Sequence, residues 1–190
     1  MSLQAALSLL LDEYPKAMTR TFAGDPVAEF VRKDIPQALR DAIGVNPRYV
    51  TRGSPGQGAW AQAPWAAVFD RFVTDTAQDG YYVVYLVRED FAGVYLSLNQ
   101  GITSTQKQYR TKAKSALRVR AADFLARLGS LTADLHIGEI DLAAGGATNL
   151  SAFYEAGNIC SIYYSGNELP GDDRLNMDLR RFVDLYYTLG

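Results

Sequence analysis

A chain of 190 residues, 48% hydrophobic and 21% charged, is long enough to bury one sizeable core, and a formal net charge of −2 argues against a surface that binds polyanions everywhere. One histidine, His136, and one cysteine, Cys160, exclude an internal disulfide and a Cys/His zinc cluster and leave a histidine triad a single candidate. No run of about 18 apolar residues occurs, and the apolar start at Ala5–Leu11 leads into Asp12 and Glu13 without a basic flank or cleavage site, so the expectation is a soluble, cytoplasmic protein with no membrane partner.

Leu3, Leu7, Leu10, Leu11 and Tyr14 recur at helical spacing and predict a short amphipathic helix ending at Pro15. Asp25-Pro26 reads as an N-cap and N1 proline, and Val27, Phe30, Val31, Ile35, Leu39 and Ile43 continue a second helix to Gly44, with a kink or break at Pro36. A strand is expected over residues 48–52, where alternation puts Arg48 and Arg52 on one face.

Gly53-Ser-Pro-Gly-Gln-Gly-Ala-Trp-Ala-Gln-Ala-Pro-Trp65 then joins a glycine-rich loop to both tryptophans of the chain. Glycines permit close backbone approach and large rings offer stacking surfaces, which suits a loop that grips something planar; the same residues also suit a tight turn whose tryptophans enter the core. A strand follows at Trp65–Phe69. Tyr81–Arg88 has the strongest strand character, with Tyr82, Val84, Leu86 and Arg88 on one face and Tyr81, Val83, Tyr85 and Val87 on the other. A short turn joins it to Val94–Leu98 as an antiparallel hairpin.

Positive charge gathers in a predicted long helix from Lys107 to Leu128, which carries Lys107, Arg110, Lys112, Lys114, Arg118, Arg120 and Arg127 against one acid, Asp123. Either a solvated face or a phosphate-facing surface fits this pattern. Further strands are expected at Leu135–Leu142 and Ile159–Tyr164, and a terminal helix capped by Asp172 or Asp173. Helices at both chain ends around a central, mostly antiparallel sheet, with one long basic helix after the hairpin, make an α+β fold expected to span residues 1–190 as one domain.

Catalytic patterns are missing. Gly53–Gly58 has the outer glycines of a phosphate-binding loop, but Ala59-Trp60 stands where Lys and Ser or Thr are needed. No Gly-x-Ser-x-Gly, His-Glu-x-x-His or EF-hand loop occurs; Glu139 with Asp141 reads as strand-edge polarity and Asp172 with Asp173 as a helix start. No catalytic residue, metal or cofactor is expected, and the chain reads as a binding domain rather than an enzyme.

The loop Gly53–Trp65, then Gly80-Tyr-Tyr-Val-Val-Tyr-Leu86, Tyr95-Leu-Ser-Leu-Asn-Gln-Gly101, Glu139-Ile-Asp-Leu142, Tyr154-Glu-Ala-Gly-Asn-Ile159 and Leu175-Asn-Met-Asp-Leu179 together resemble the N-terminal DNA-binding domain family of McrB, from McrBC modification-dependent restriction systems. The resemblance implies a reader that flips a methylated cytosine out of double-stranded DNA. It assigns the aromatic pocket wall to Trp65 and Tyr82 and the residue beside the modified edge to Leu86, and gives the DNA-approaching loop as Gly56, Gln57, Gly58 and Trp60. Alternation places Tyr82 and Leu86 on one strand face, as a shared pocket needs. Extrusion costs a few kcal/mol, which stacking can offset. A methyl group is worth only about 0.8 kcal/mol of burial, so shape and the Watson–Crick edge must also contribute.

Where the family carries a loop-tip aromatic, this sequence has Gln57, and Trp60 is a candidate substitute; Phe153 or Tyr154 is the candidate for a further pocket aromatic. Phosphate contacts are expected from Arg48, Arg52, Lys107, Arg110 and Lys114. Such domains are normally fused to a motor or nuclease, so the chain is expected to be an isolated domain or the front of a longer protein, working with a fused or separate GTPase or nuclease subunit. The alternative is a protein- or small-ligand-binding domain that uses the same Trp/Tyr pocket.

Overall fold

The computed structural model describes residues 1–190. Its strands are β1 Tyr49–Ser54, β2 Trp65–Asp70, β3 Tyr81–Val87, β4 Gly93–Gln100, β5 His136–Ile137 and β6 Cys160–Ser165. They form one antiparallel sheet in the order β1-β2-β3-β4-β6-β5. Its helices are α1 Leu3–Ala17, α2 Pro26–Glu29, α3 Ile35–Ile43, α4 Thr103–Tyr109, α5 Ala113–Leu128, α6 Leu150–Gly157 and α7 Asp172–Leu189. The architecture is α+β, as the sequence predicts.

Register decides what each sheet face can do. Trp65 pairs with Leu86, Ala67 with Val84, and Tyr82 with Asn99, so Trp65, Phe69, Tyr82 and Leu86 share one face. The opposite face packs against α3 and α7, and α1 packs on those two helices. Across that boundary the Tyr186 hydroxyl accepts from the Asp70 amide at 3.0 Å, Tyr164 donates to Asp178 at 2.7 Å, and Thr51 donates to the Pro36 carbonyl at 2.8 Å. Because helices cover this face while α6 and the β2–β3 connection cover the other, Tyr82 through Val87 are all buried. That explains why β3 is apolar on both sides.

Departures from the predicted elements have local causes. The expected long basic helix is interrupted: α4 ends at Tyr109, a 3-10 turn spans Arg110–Lys112, and α5 begins at Ala113. Arg110 takes φ +48°, a conformation that no helix interior accepts. Pro36 does not break its helix; a π turn at Phe30–Asp34 absorbs the amide that proline lacks, with Ile35 N–H bonding Phe30 O. α1 runs past Pro15 to Ala17, and Gly171, rather than an aspartate, is the N-cap of α7. The strand expected at Leu135–Leu142 shrinks to His136–Ile137, because Gly138 at φ +92° turns the chain away. Leu150–Gly157, for which no element is predicted, forms α6 just before β6.

α6 is docked by a buried polar network from β4. Asn99 donates to Ser97 and to the Tyr154 carbonyl, both at 3.0 Å, and Ser97 donates to Asn158 at 2.7 Å. Gln100 reaches the Leu117 carbonyl at 2.9 Å and the Gly157 carbonyl at 3.2 Å, tying α5 and α6 to the same strand. All of these side chains are buried, so each bond also spares a desolvated polar group.

Candidate nucleic-acid interface

The glycine loop is held at its base and free at its tip. Tyr14, buried in α1, places its hydroxyl 2.8 Å from both the Pro55 and Ala61 carbonyls, and the Ala61 amide bonds Pro55 O at 2.8 Å. Burial pushes the Tyr14 phenol up, so it stays a neutral donor. Gly56 sits at φ +114°, and a Cβ there would meet the Ala59 carbonyl, so only glycine closes this turn. Gln57 and Gly58 are left exposed at the tip.

Trp60 belongs to the base of the loop. Its Nε1–H donates to the Arg20 carbonyl at 2.9 Å, and its ring makes edge contacts with Tyr14 at 5.2 Å and Phe22 at 5.0 Å. It is therefore an anchor, and the structure leaves Gln57 as the polar side chain at the tip, beside Gly58 and Ala59.

Trp65, at the other end of the loop, is half-buried and opens onto a recess of about 330 Å³. Its walls are Gly53–Gln57, Trp65, Phe69 and the segment Asp75–Gln78 of the β2–β3 connection, with Arg32 and Arg52 on the same lining. Trp65 meets Phe69 edge-on at 6.4 Å, and Phe69 meets Tyr82 at 5.0 Å, giving a short aromatic ladder along the sheet.

Tyr82 stands behind that recess rather than in it. Its side chain is fully buried, and its hydroxyl bonds the Ala77 carbonyl at 2.9 Å and shares a 3.3 Å bond with the Tyr154 hydroxyl. Burial pushes the Tyr82 phenol well up. Leu86 is also buried, directly beside Trp65 in the register. A second recess of about 270 Å³ lies beyond Tyr154, bounded by Ala61–Ala63, Glu89 and Asn149–Ser151. Glu89 closes it as a clamp, accepting from the Gly145 amide at 2.7 Å and the Ser151 hydroxyl at 2.8 Å. Phe153 lies under the Lys114 ammonium at 5.2 Å.

Sequence-expected cations fall into two groups. Arg52 is exposed, lines the Trp65 recess and has no acidic partner, whereas Arg32 beside it pairs with Glu29 at 2.9 Å. Arg48 precedes β1 and does not share a face with Arg52: it pairs with buried Asp70 at 2.5 Å and stacks over Tyr187 at 4.5 Å and Phe72 at 5.0 Å. Its charge is spent inside the fold. Lys107 and Arg110 are exposed without ion pairs, and α4 is tied to the recess wall by the Ser104 amide, 3.2 Å from the Gln78 carbonyl. Farther along α5, Arg118 pairs with Glu139 at 2.5 Å and Arg120 bonds Thr105 at 2.9 Å. Of the expected phosphate contacts, Arg52 on the recess lining and Lys107, Arg110 and Lys114 around the α4–α5 break thus carry no ion pair, and Lys112 at that break is likewise exposed and unpaired.

Two features could not be read from the sequence. The Asp75–Gln78 wall is a connection folded back across the sheet, and its only sequence signal is the turn-rich composition of residues 75–80. The Tyr82–Tyr154 bond joins residues 72 positions apart. The largest recess, about 740 Å³ between α1 and the β4 and β6 ends, includes Asp12 and no cation, which does not suit a polyanion. His136 is exposed and bonds the Glu139 carbonyl at 2.8 Å, and burial pushes the Cys160 thiol up to about 12, far from a reactive thiolate.

A comparison with curated proteins gives no match. No helix is long and apolar enough to cross a membrane. The model of one protein family, described as MrcB-like, N-terminal domain, aligns with residues 9–190 and so takes in the glycine loop, the aromatic ladder, the basic segment and every strand. With nearly its whole length matched, the chain belongs to the MrcB-like N-terminal domain family.

Proposed function

We propose that the chain binds double-stranded DNA through the Trp65 face and holds a modified cytosine, extruded from the duplex, against the Trp65 ring. Family membership supports a DNA-binding role in a McrBC-type restriction system, as a binding domain rather than a catalytic one. Cleavage and nucleotide-driven motion then reside in another domain or subunit, which this module directs to its DNA.

The observation that carries the proposal is the Trp65 recess itself. A half-buried indole forms one wall, a glycine loop fixed at its base forms another, and the unpaired Arg52 stands on the lining. An extruded base brings a flat ring and a phosphate on either side, and the recess answers both. Trp65 provides the stacking surface; Tyr82 and Leu86 back that wall, with Tyr82 also holding the Asp75–Gln78 segment through Ala77. Gln57 and Gly58 at the loop tip approach the duplex, where Gln57 can hydrogen-bond the base left unpaired. Arg52, Lys107, Arg110 and Lys114 contact phosphates.

Trp65→Ala tests the assignment. The variant is expected to bind modified and unmodified duplexes equally and weakly, through phosphate contacts alone, while the wild type prefers the modified duplex. Retention of full discrimination by a folded Trp65→Ala variant would move the base to another site.

A further inference from the structure

Among the side chains that line the Trp65 recess, Asp75 is the only carboxylate. It makes no ion pair and no side-chain hydrogen bond within the chain, although two guanidiniums line the same recess and Arg32 turns instead to Glu29. The neighbouring Thr76 hydroxyl accepts from the Gln78 amide at 3.2 Å, and Ala77 is fixed by Tyr82, so the backbone that presents Asp75 is held while its carboxylate is left unpartnered. Nothing in the fold uses this group, and on a DNA-facing surface it opposes phosphate binding. Asp75 is exposed on the recess lining, so its carboxylate is open to a ligand that donates to it.

We propose that Asp75 is a specificity-determining residue that accepts a hydrogen bond from the exocyclic amine of the base stacked on Trp65. The assignment rests on the proposed base-holding role of that recess. An ionised aspartate only accepts, cytosine presents an N4 amine that donates, and thymine presents an O4 carbonyl at the same position. Cytosine and 5-methylcytosine therefore satisfy Asp75, while thymine sets two acceptors against each other. A carboxylate is thus suited to separate 5-methylcytosine from thymine, which carries the same methyl group and stacks alike. Methyl contact and stacking cannot make that distinction.

The experiment measures binding of the wild type and Asp75→Asn to three duplexes differing at one position: cytosine opposite guanine, 5-methylcytosine opposite guanine, and thymine opposite guanine. The mismatched thymine is extruded more easily than a paired base, so pairing energetics favour it and any preference for 5-methylcytosine over it reports recognition of the base edge. The wild type is expected to prefer 5-methylcytosine over mismatched thymine by roughly tenfold or more, the scale of one hydrogen bond to a charged group. Asn can accept from an amine or donate to a carbonyl, so Asp75→Asn is expected to bring the two affinities within about twofold, chiefly by raising the affinity for the thymine duplex. Thermal unfolding should be unchanged, since Asp75 has no partner to lose. If Asp75→Asn keeps the tenfold preference while the wild type still favours methylated over unmethylated cytosine, the Asp75 role is overturned and the base-holding recess stands. Should the wild type bind methylated and unmethylated duplexes equally, the base-holding role fails and the Asp75 role falls with it.

Discussion

At the residue scale, Tyr82 joins stability to recognition. Its hydroxyl touches both the Asp75–Gln78 wall, through Ala77, and α6, through Tyr154. Tyr82→Phe keeps the ring and its contact with Phe69 but leaves the Ala77 carbonyl without this partner. A loss of about 1–2 kcal/mol in denaturant unfolding is expected, the scale of one buried hydrogen bond. If the segment it holds forms the base-facing wall, affinity for a modified duplex should fall more than affinity for an unmodified one. Equal losses for both would limit Tyr82 to the core. Composition and spacing do not separate the two tryptophans of the glycine loop; only the family resemblance puts Trp65 in the pocket wall and Trp60 forward as the loop-tip candidate. The structure separates them by partner: Trp60 finds a carbonyl and two rings from the first 22 residues, while Trp65 pairs into β2 and keeps one side open.

At the scale of elements, the break between α4 and α5 turns the basic segment into two short presentations instead of one straight face. Arg110 sits at the break with φ +48° and ψ −115°, a combination that glycine tolerates and side chains resist. Arg110→Gly is therefore expected to stabilise the fold by about 1 kcal/mol, read as a rise of a few degrees in Tm, while weakening DNA binding through loss of a cation. Opposite signs in the two assays distinguish backbone strain from phosphate contact; a fall in Tm would show that the Arg110 conformation stores no strain. Periodicity could not disclose this break, because the apolar stripe at Leu117, Ala121, Phe124 and Leu128 belongs to α5 alone and Lys107–Lys112 offers only Tyr109, which stays exposed. The strands were more legible: β-branched and aromatic residues alternate through β3 and β4, and their partners on both faces reward that pattern. α6 stayed hidden because its identity is tertiary. Eight residues without a side-chain cap are held by Asn99 and Gln100 of β4, whose Asn-Gln-Gly sequence reveals nothing of the helix they dock.

On the scale of the whole molecule, a net charge of −2 is reconciled with a polyanionic partner by the way pairs are used. Arg48, Arg118 and Arg181 are neutralised by Asp70, Glu139 and Asp134, while Arg52 on the Trp65 recess and Lys107, Arg110 and Lys114 around the α4–α5 break stay without acids. If each of those four meets a phosphate, the plot of log affinity against log salt should have a slope of about −3 to −4, and Arg52→Ala should reduce its magnitude by about 1. Arg48→Ala should instead leave the slope unchanged and cost stability, because it strands a buried carboxylate. Composition could not have sorted these arginines. Their pairing depends on which acids the sheet register and α7 bring within reach, and on that ground Arg48 and Arg52, four residues apart, part company.

If the Trp65 recess holds a modified base, the chain must prefer modified cytosine, and the most direct measurement is titration of this chain with matched duplexes carrying unmodified, 5-methyl, 5-hydroxymethyl or N4-methyl cytosine at one site, across a range of salt. Tighter binding of at least one modified duplex at every salt concentration, lost in Trp65→Ala, is the predicted result. Equal affinity of the wild type for all four duplexes throughout the range would contradict it.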